Sequence, residues 1–126
     1  MKEYDFGAFN LKPIETYHDV RNMSYKVDFK PITVYYATDT KKLDYLDCLK
    51  GLNYYFVENN YSKKEIEERI REKEEKGEYV YEYRVLDTHM SAEEINSFLI
   101  EMMTKDSQFV YCHQHQSDYN FKKEEK

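Results

Sequence analysis

From Ser24 onward, hydrophobic and polar positions alternate: Tyr25, Val27 and Phe29 interleave with Lys26, Asp28 and Lys30. Successive side chains of a strand point to opposite faces, so this pattern predicts a half-buried strand with its charged residues in water. Pro31 has no N–H to donate and interrupts the ladder. The β-branched and aromatic run from Ile32 to Ala37 resumes it, as one bent strand or as two in close succession. Upstream, residues 1–23 show no clean period. Phe6, Phe9, Ile14 and Tyr17 there suit an N-terminal arm packed on the body.

Thr38, Asp39 and Thr40 offer N-caps. The stripe Leu43, Leu46, Leu49, Leu52, Phe56 and Val57 then predicts a first helix, weakened at Gly51 by about 1 kcal/mol relative to alanine. Ser62 and Glu65 have the spacing of a capping box and open a second helix. Twelve of its fourteen residues from 63 to 76 are charged, six basic and six acidic, and only Ile66 and Ile70 give it an apolar edge. The pairs Glu65–Arg69, Glu67–Arg71 and Glu72–Lys76 run in the favourable order and add about 0.2–0.5 kcal/mol each. Gly77 ends this helix. Tyr79, Tyr81, Tyr83 and Val85 then alternate with Val80, Glu82, Arg84 and Leu86, which predicts a strand. Ser91 with Glu94 forms another capping box, and Ile95, Phe98, Leu99, Met102 and Met103 give a clear amphipathic helix. The run FVYCHQ reads as a last strand, and residues 121–126 as a solvated tail.

The order β(β)-α-α-β-α-β predicts an α+β or small α/β fold for a single domain of residues 1–126. It would be two-layered, a mixed sheet of about four strands packed by about three helices. Residues 79–114 have the strand–helix–strand form of a right-handed crossover, which would make their strands parallel.

Charge narrows the partners. The formal net charge is −6, and residues 78–106 carry seven acids against two bases. A negative field disfavours direct contact with nucleic acid and favours docking on a basic protein patch. The N-terminus lacks the apolar run of a signal peptide, and no stretch approaches the ~20 apolar residues of a membrane span. The expectation is a cytoplasmic protein without a membrane partner, with reduced thiols at Cys48 and Cys112 and with homo-oligomers allowed. Fourteen tyrosines, no tryptophan and few glycines, alanines and prolines match AT-rich codon usage, as in a low-GC bacterium or its phage.

Candidate chemistry is sparse. His113 and His115 share a strand face while Cys112 points the other way, a geometry that suits zinc or another divalent metal. The pair needs further ligands, for which His18, His89 and Asp118 are available by type; without them the stretch is a polar strand end. Asp28 and Lys30 have the spacing of a nuclease D-x-K pair but also form the polar face of a strand. No nucleophile elbow or phosphate-binding loop occurs. Tyr79, Tyr81 and Tyr83 suit core packing, a protein interface or a ligand pocket.

Taken together, these features favour a small acidic binding protein without cofactor or catalysis. Its most concrete form is an accessory or inhibitor protein of a phage or mobile element, anti-CRISPR-like, blocking a host defence or nucleic-acid enzyme. Its interface would comprise Glu78, Tyr79, Tyr81, Glu82, Tyr83, Glu93, Glu94 and Glu101. The alternatives are a nucleotide or small-ligand binder with a tyrosine-lined pocket, and a metal-dependent hydrolase centred on His113 and His115.

Overall fold

A computed structural model describes residues 2–18 and 21–112 of the chain. Six strands form one sheet in sequential order: β1 (Tyr4–Asp5), β2 (Asn10–Glu15), β3 (Met23–Asp28), β4 (Thr33–Ala37), β5 (Tyr54–Glu58) and β6 (Gln108–Cys112). The first four run antiparallel; β4, β5 and β6 run parallel. Three helices, α1 (Lys63–Glu75), α2 (Glu82–Thr88) and α3 (Ala92–Met102), lie between β5 and β6. The mixed α+β class and the three helices agree with the sequence reading, but the sheet has six strands rather than four.

The differences have local causes. Residues 4–15, expected in an arm, supply β1 and β2. Within β2, Leu11 and Ile14 sit on opposite faces, so no period was visible. Pro31 lies in the turn between β3 and β4, which are two antiparallel strands. The leucine stripe from Leu43 to Leu52 is not a helix: Leu43, Leu49 and Leu52 are buried by loop backbone and one 3-10 turn, Asp47–Leu49. Gly51, at φ 67°, ends that turn. Asn53 Oδ1 then accepts the Thr33 N–H at 2.8 Å, which sets β5 beside β4. The Tyr55 hydroxyl donates to Leu49 O (2.6 Å) and accepts the Leu52 N–H (3.0 Å), so the buried loop keeps its hydrogen bonds.

The segment expected as a strand from Tyr79 is instead a turn followed by α2. Glu82, Val85 and Leu86 turn inward at i, i+3 and i+4, and Glu82 is only 1% exposed. Lys73 Nζ from α1 stands 3.0 and 2.9 Å from its two carboxylate oxygens. A short helix anchored by an ion pair shows little apolar period of its own. The parallel crossover does exist, but it starts from β5 and carries all three helices.

α3 packs on one face of the sheet. Phe98 meets Tyr35 and Tyr55 there, with ring centroids 6.1 and 6.5 Å apart. Ser91 and Glu94 form the expected capping box, and the Ser62 side chain accepts the Glu65 N–H. No helix among the described residues is long and apolar enough to cross a membrane.

Candidate metal centre at the ends of the parallel strands

In open sheets, ligands gather at the carboxyl ends of parallel strands, where chain ends leave a crevice. Here β4 is followed at once by Thr38 and Asp39, and β5 ends in Glu58. Asp39 takes φ 55°, a left-handed conformation that aspartate tolerates better than most residues. Its loop is held from both sides. Asn22 Nδ2 donates to Thr38 O (2.8 Å) and Asp39 O (3.1 Å). The Thr40 hydroxyl accepts the Tyr17 N–H (3.0 Å), the Lys41 N–H donates to Tyr17 O (2.6 Å), and Lys41 Nζ reaches Leu86 O.

His89 closes α2, its N–H donating to Val85 O at 2.9 Å. The turn that carries it is tied to the end of β5: Ala92 N–H donates to Tyr61 O (2.6 Å) and the Tyr61 hydroxyl to His89 O (3.4 Å). Burial, then the Glu94 and Glu93 carboxylates, push the Tyr61 phenol up to about 12, so it stays a donor.

These three ends converge. Glu58 is buried; its Oε2 accepts the Asp39 N–H (3.0 Å), and its Oε1 lies 2.5 Å from His89 Nδ1. Asp39 Oδ1 stands 3.9 Å from the same nitrogen. One potential ligand atom from each residue lies within 4.8 Å of the others. The His18 ring packs edge-on against His89 with centroids 5.5 Å apart, its Nδ1 3.1 Å from Thr88 O. Beside the two histidines an open cavity of about 420 Å³ is lined by Tyr79, Tyr81, Arg84, Val85 and Thr88.

Among the candidate residues from the sequence, His89, named there only as a possible extra ligand, joins this centre. His113, His115 and Asp118 lie outside the described residues, as does the tail from 121 to 126. Tyr79 and Tyr81 are exposed and line the cavity, while Tyr83 is exposed with its hydroxyl donating to Glu74 Oε2 at 2.6 Å. The acids of the expected interface do not form one open surface. Glu78, Glu93 and Glu101 are exposed, but Glu94 works in the α3 capping box and Glu82 is buried against Lys73. Cys48 and Cys112 are unpaired with each other and half-buried; burial pushes the Cys112 thiol up. Lys26 and Asp28 lie on the helix side of the sheet rather than in an open polar face. Asp39 and Glu58 escaped the sequence reading because Asp39 reads as an N-cap and Glu58 as the polar side of the helix expected after it. Their signal was an acid just past or at the end of each apolar run, YYA and YYFV.

No family model matches this sequence, and no curated protein is similar to it in sequence. Solved structures do share its fold. The metallo-β-lactamase fold protein YhfI from Bacillus subtilis superposes with a TM-score of 0.65 at 15% identity, over 90% of this chain and 40% of that one. Human tRNase Z, short form, gives 0.64 at 12% identity over 91% and 39%. A diphosphatase of the PhnP family gives 0.58 at 14% identity over 90% and 36%. The chain thus spans about two fifths of the length of each. Two of the three are named for hydrolytic activities, which overturns the expectation of a non-catalytic phage inhibitor docking on a host enzyme. What the described residues form is an α+β unit that resembles part of the metallo-β-lactamase fold.

Proposed function

We propose that the chain provides part of a metal-dependent hydrolase centre, with Asp39, Glu58 and His89 holding the ion. One observation carries this reading: three groups of the right chemistry, brought from β4, β5 and α2, converge at the carboxyl ends of adjacent parallel strands. The donor set fits the group. Two carboxylates and an imidazole suit zinc and its neighbours among the divalent metals. Ligands about 2.1 Å from a tetrahedral ion stand about 3.4 Å apart, and the 2.5 and 3.9 Å separations around His89 Nδ1 bracket that spacing. When bound, such an ion supplies Lewis-acid chemistry for hydrolysis.

The chain's own residues orient and admit. Asn22 fixes the backbone that presents Asp39, and the Asp39 N–H orients Glu58; Glu58 holds the His89 ring through the Nδ1 contact that an ion would replace. The cavity beside His89 is lined by Tyr79, Tyr81 and Arg84, with Lys73 Nζ 4.0 Å from the Tyr81 ring centre, so a substrate there meets tyrosine rings and positive charge. The names of the neighbours point to phosphate esters as the class to try.

Metal content of the purified full chain tests the reading. The expected result is a bound divalent ion whose affinity falls at least about tenfold in Asp39→Asn, Glu58→Gln and His89→Ala, and falls in acid as the ligands take up protons. A chromogenic phosphate diester should be hydrolysed only by metal-loaded protein. Metal retained unchanged by all three variants would overturn the assignment.

A further inference from the structure

Residues 78–106 carry seven acids against two bases, yet the cavity beside His89 is lined by one of those bases, Arg84, and by none of the acids. Hollows elsewhere differ: one at the turns of the antiparallel strands includes Asp5 and Asp28, and one on α1 includes Glu65, Glu68 and Glu72. Glu82, next to Tyr81 in the chain, is buried against Lys73 instead. One wall of the cavity is a single face of α2. Tyr81, Arg84, Val85 and Thr88 recur at i, i+3, i+4 and i+7, the spacing that lines residues up along one side of a helix. At 1.5 Å per residue that stripe is about 10 Å long. Tyr81 begins it, with Tyr79 also at the cavity, and His89, which belongs to the candidate metal centre, follows its far end. Tyr79 and Tyr81 are 83% and 44% exposed, so neither ring serves the core.

We propose that this cavity binds a mononucleotide, with its planar base on Tyr81 and Tyr79 and its phosphate toward Arg84 and His89. Tyrosine rings stack on any base, because every base has a π-face. A guanidinium matches phosphate oxygens with paired N–H donors. The order of the groups along α2 sets the orientation: rings at one end, the guanidinium between, and the candidate metal centre at the other end. The phosphate, rather than the base, then lies beside the ion. The volume, about 420 Å³, falls within the roughly 300–1,000 Å³ of small-ligand sites. The net charge of −6 repels a polyanionic strand far more than a single phosphate, which favours a free nucleotide over an RNA. The inference deepens the hydrolase reading by naming what the phosphate is attached to. It rests on that reading for turnover, but not for binding.

Equilibrium dialysis of the full chain against adenosine monophosphate, adenosine and ribose phosphate, with a chelator present, tests this; circular dichroism checks folding. The nucleotide should bind at least about tenfold tighter than either half alone. Tyr81→Ala should weaken the nucleotide about tenfold or more, whereas Tyr81→Phe, which keeps the ring, should bind as the wild type does. Arg84→Gln should weaken the nucleotide and leave adenosine unchanged. Tyr83→Ala, which removes an exposed ring of α2 outside the cavity, should change nothing. If Tyr81→Ala does not fold, Tyr79→Ala at the more exposed ring replaces it with the same expectation. A nucleotide that binds no tighter than ribose phosphate overturns the proposal, as does binding that survives both alanine variants of the cavity tyrosines. Metal held through Asp39 without nucleotide binding would sink this inference and keep the hydrolase reading. Nucleotide bound by a protein that holds no metal would do the reverse.

Discussion

The two faces of the sheet are built from the same residue types yet sit in opposite environments. Behind β4 and β5, Tyr35 and Tyr55 are fully buried, meet Phe98, and have partners for their hydroxyls: Tyr35 donates to Ser24 Oγ at 2.8 Å, Tyr55 to Leu49 O. In front, Tyr25 and Tyr36 pair across β3 and β4 with nothing described above them. Tyrosine serves both sides because its ring fills space while its hydroxyl takes a partner or water. Only the layer that covers a strand decides which role each tyrosine plays. The covered face therefore holds the chain together, while the open face carries the same residue types without a layer over them among the described residues.

The sharpest test of this contrast is Phe98→Ala. It removes the ring shared by Tyr35, Tyr45 and Tyr55 and should cost about 3–5 kcal/mol in denaturant unfolding, at any protein concentration. A loss below 1 kcal/mol would mean that the covered face is not the core.

Next comes the one buried carboxylate of the helical layer. Burial works to raise the Glu82 carboxyl, but the Lys73 hydrogen bond and charge, a backbone N–H and Arg69 outweigh it, so its folded value is lowered. A lowered folded value contributes stability above the ordinary carboxylate range, lost as pH falls through the folded value. Glu82→Gln should therefore destabilise the protein at pH 7 by about 2 kcal/mol, less than the 3–5 kcal/mol of a fully buried pair because Lys73 is partly exposed. It should also flatten the stability decline in acid. An unchanged pH profile would count against the ion pair.

The smallest effect belongs to the open face. Tyr36→Ser should change unfolding by no more than about 0.5 kcal/mol. A loss as large as that of Phe98→Ala would show that this face is buried too, and the contrast would fail.

How much was legible follows from the same contrast. The α3 stripe of Ile95, Phe98, Leu99 and Met102, with its capping box, repeats its period over eleven residues, and it was read correctly. β3, β4 and β6 were also found, because apolar alternation is local. But the alternation of Tyr25 and Val27 says only that one face is apolar, not whether a helix layer covers it. The stripe from Leu43 to Val57 fits a helical period, yet it folds as a loop, a 3-10 turn and a strand. Backbone groups there are satisfied by Asn53 and Tyr55, partners supplied by tertiary contact. α2 was read as a strand because a seven-residue helix completes only about two turns, too few to outvote a run of tyrosines.

The α+β class, the charged α1, the amphipathic α3 with its cap, and the ability of His89 to serve as a ligand could all be read from the linear chain. Each rests on side chains close together in the chain. Tertiary structure alone decided that Asp39, Glu58 and His89 meet, since they are separated by 19 and 31 residues and join only when β4 and β5 pair in parallel and the α2–α3 turn docks on Tyr61. It also decided which apolar face is covered. Periodicity records that a face avoids water, but the location of the covering layer depends on where the rest of the chain, or a second chain, comes to lie.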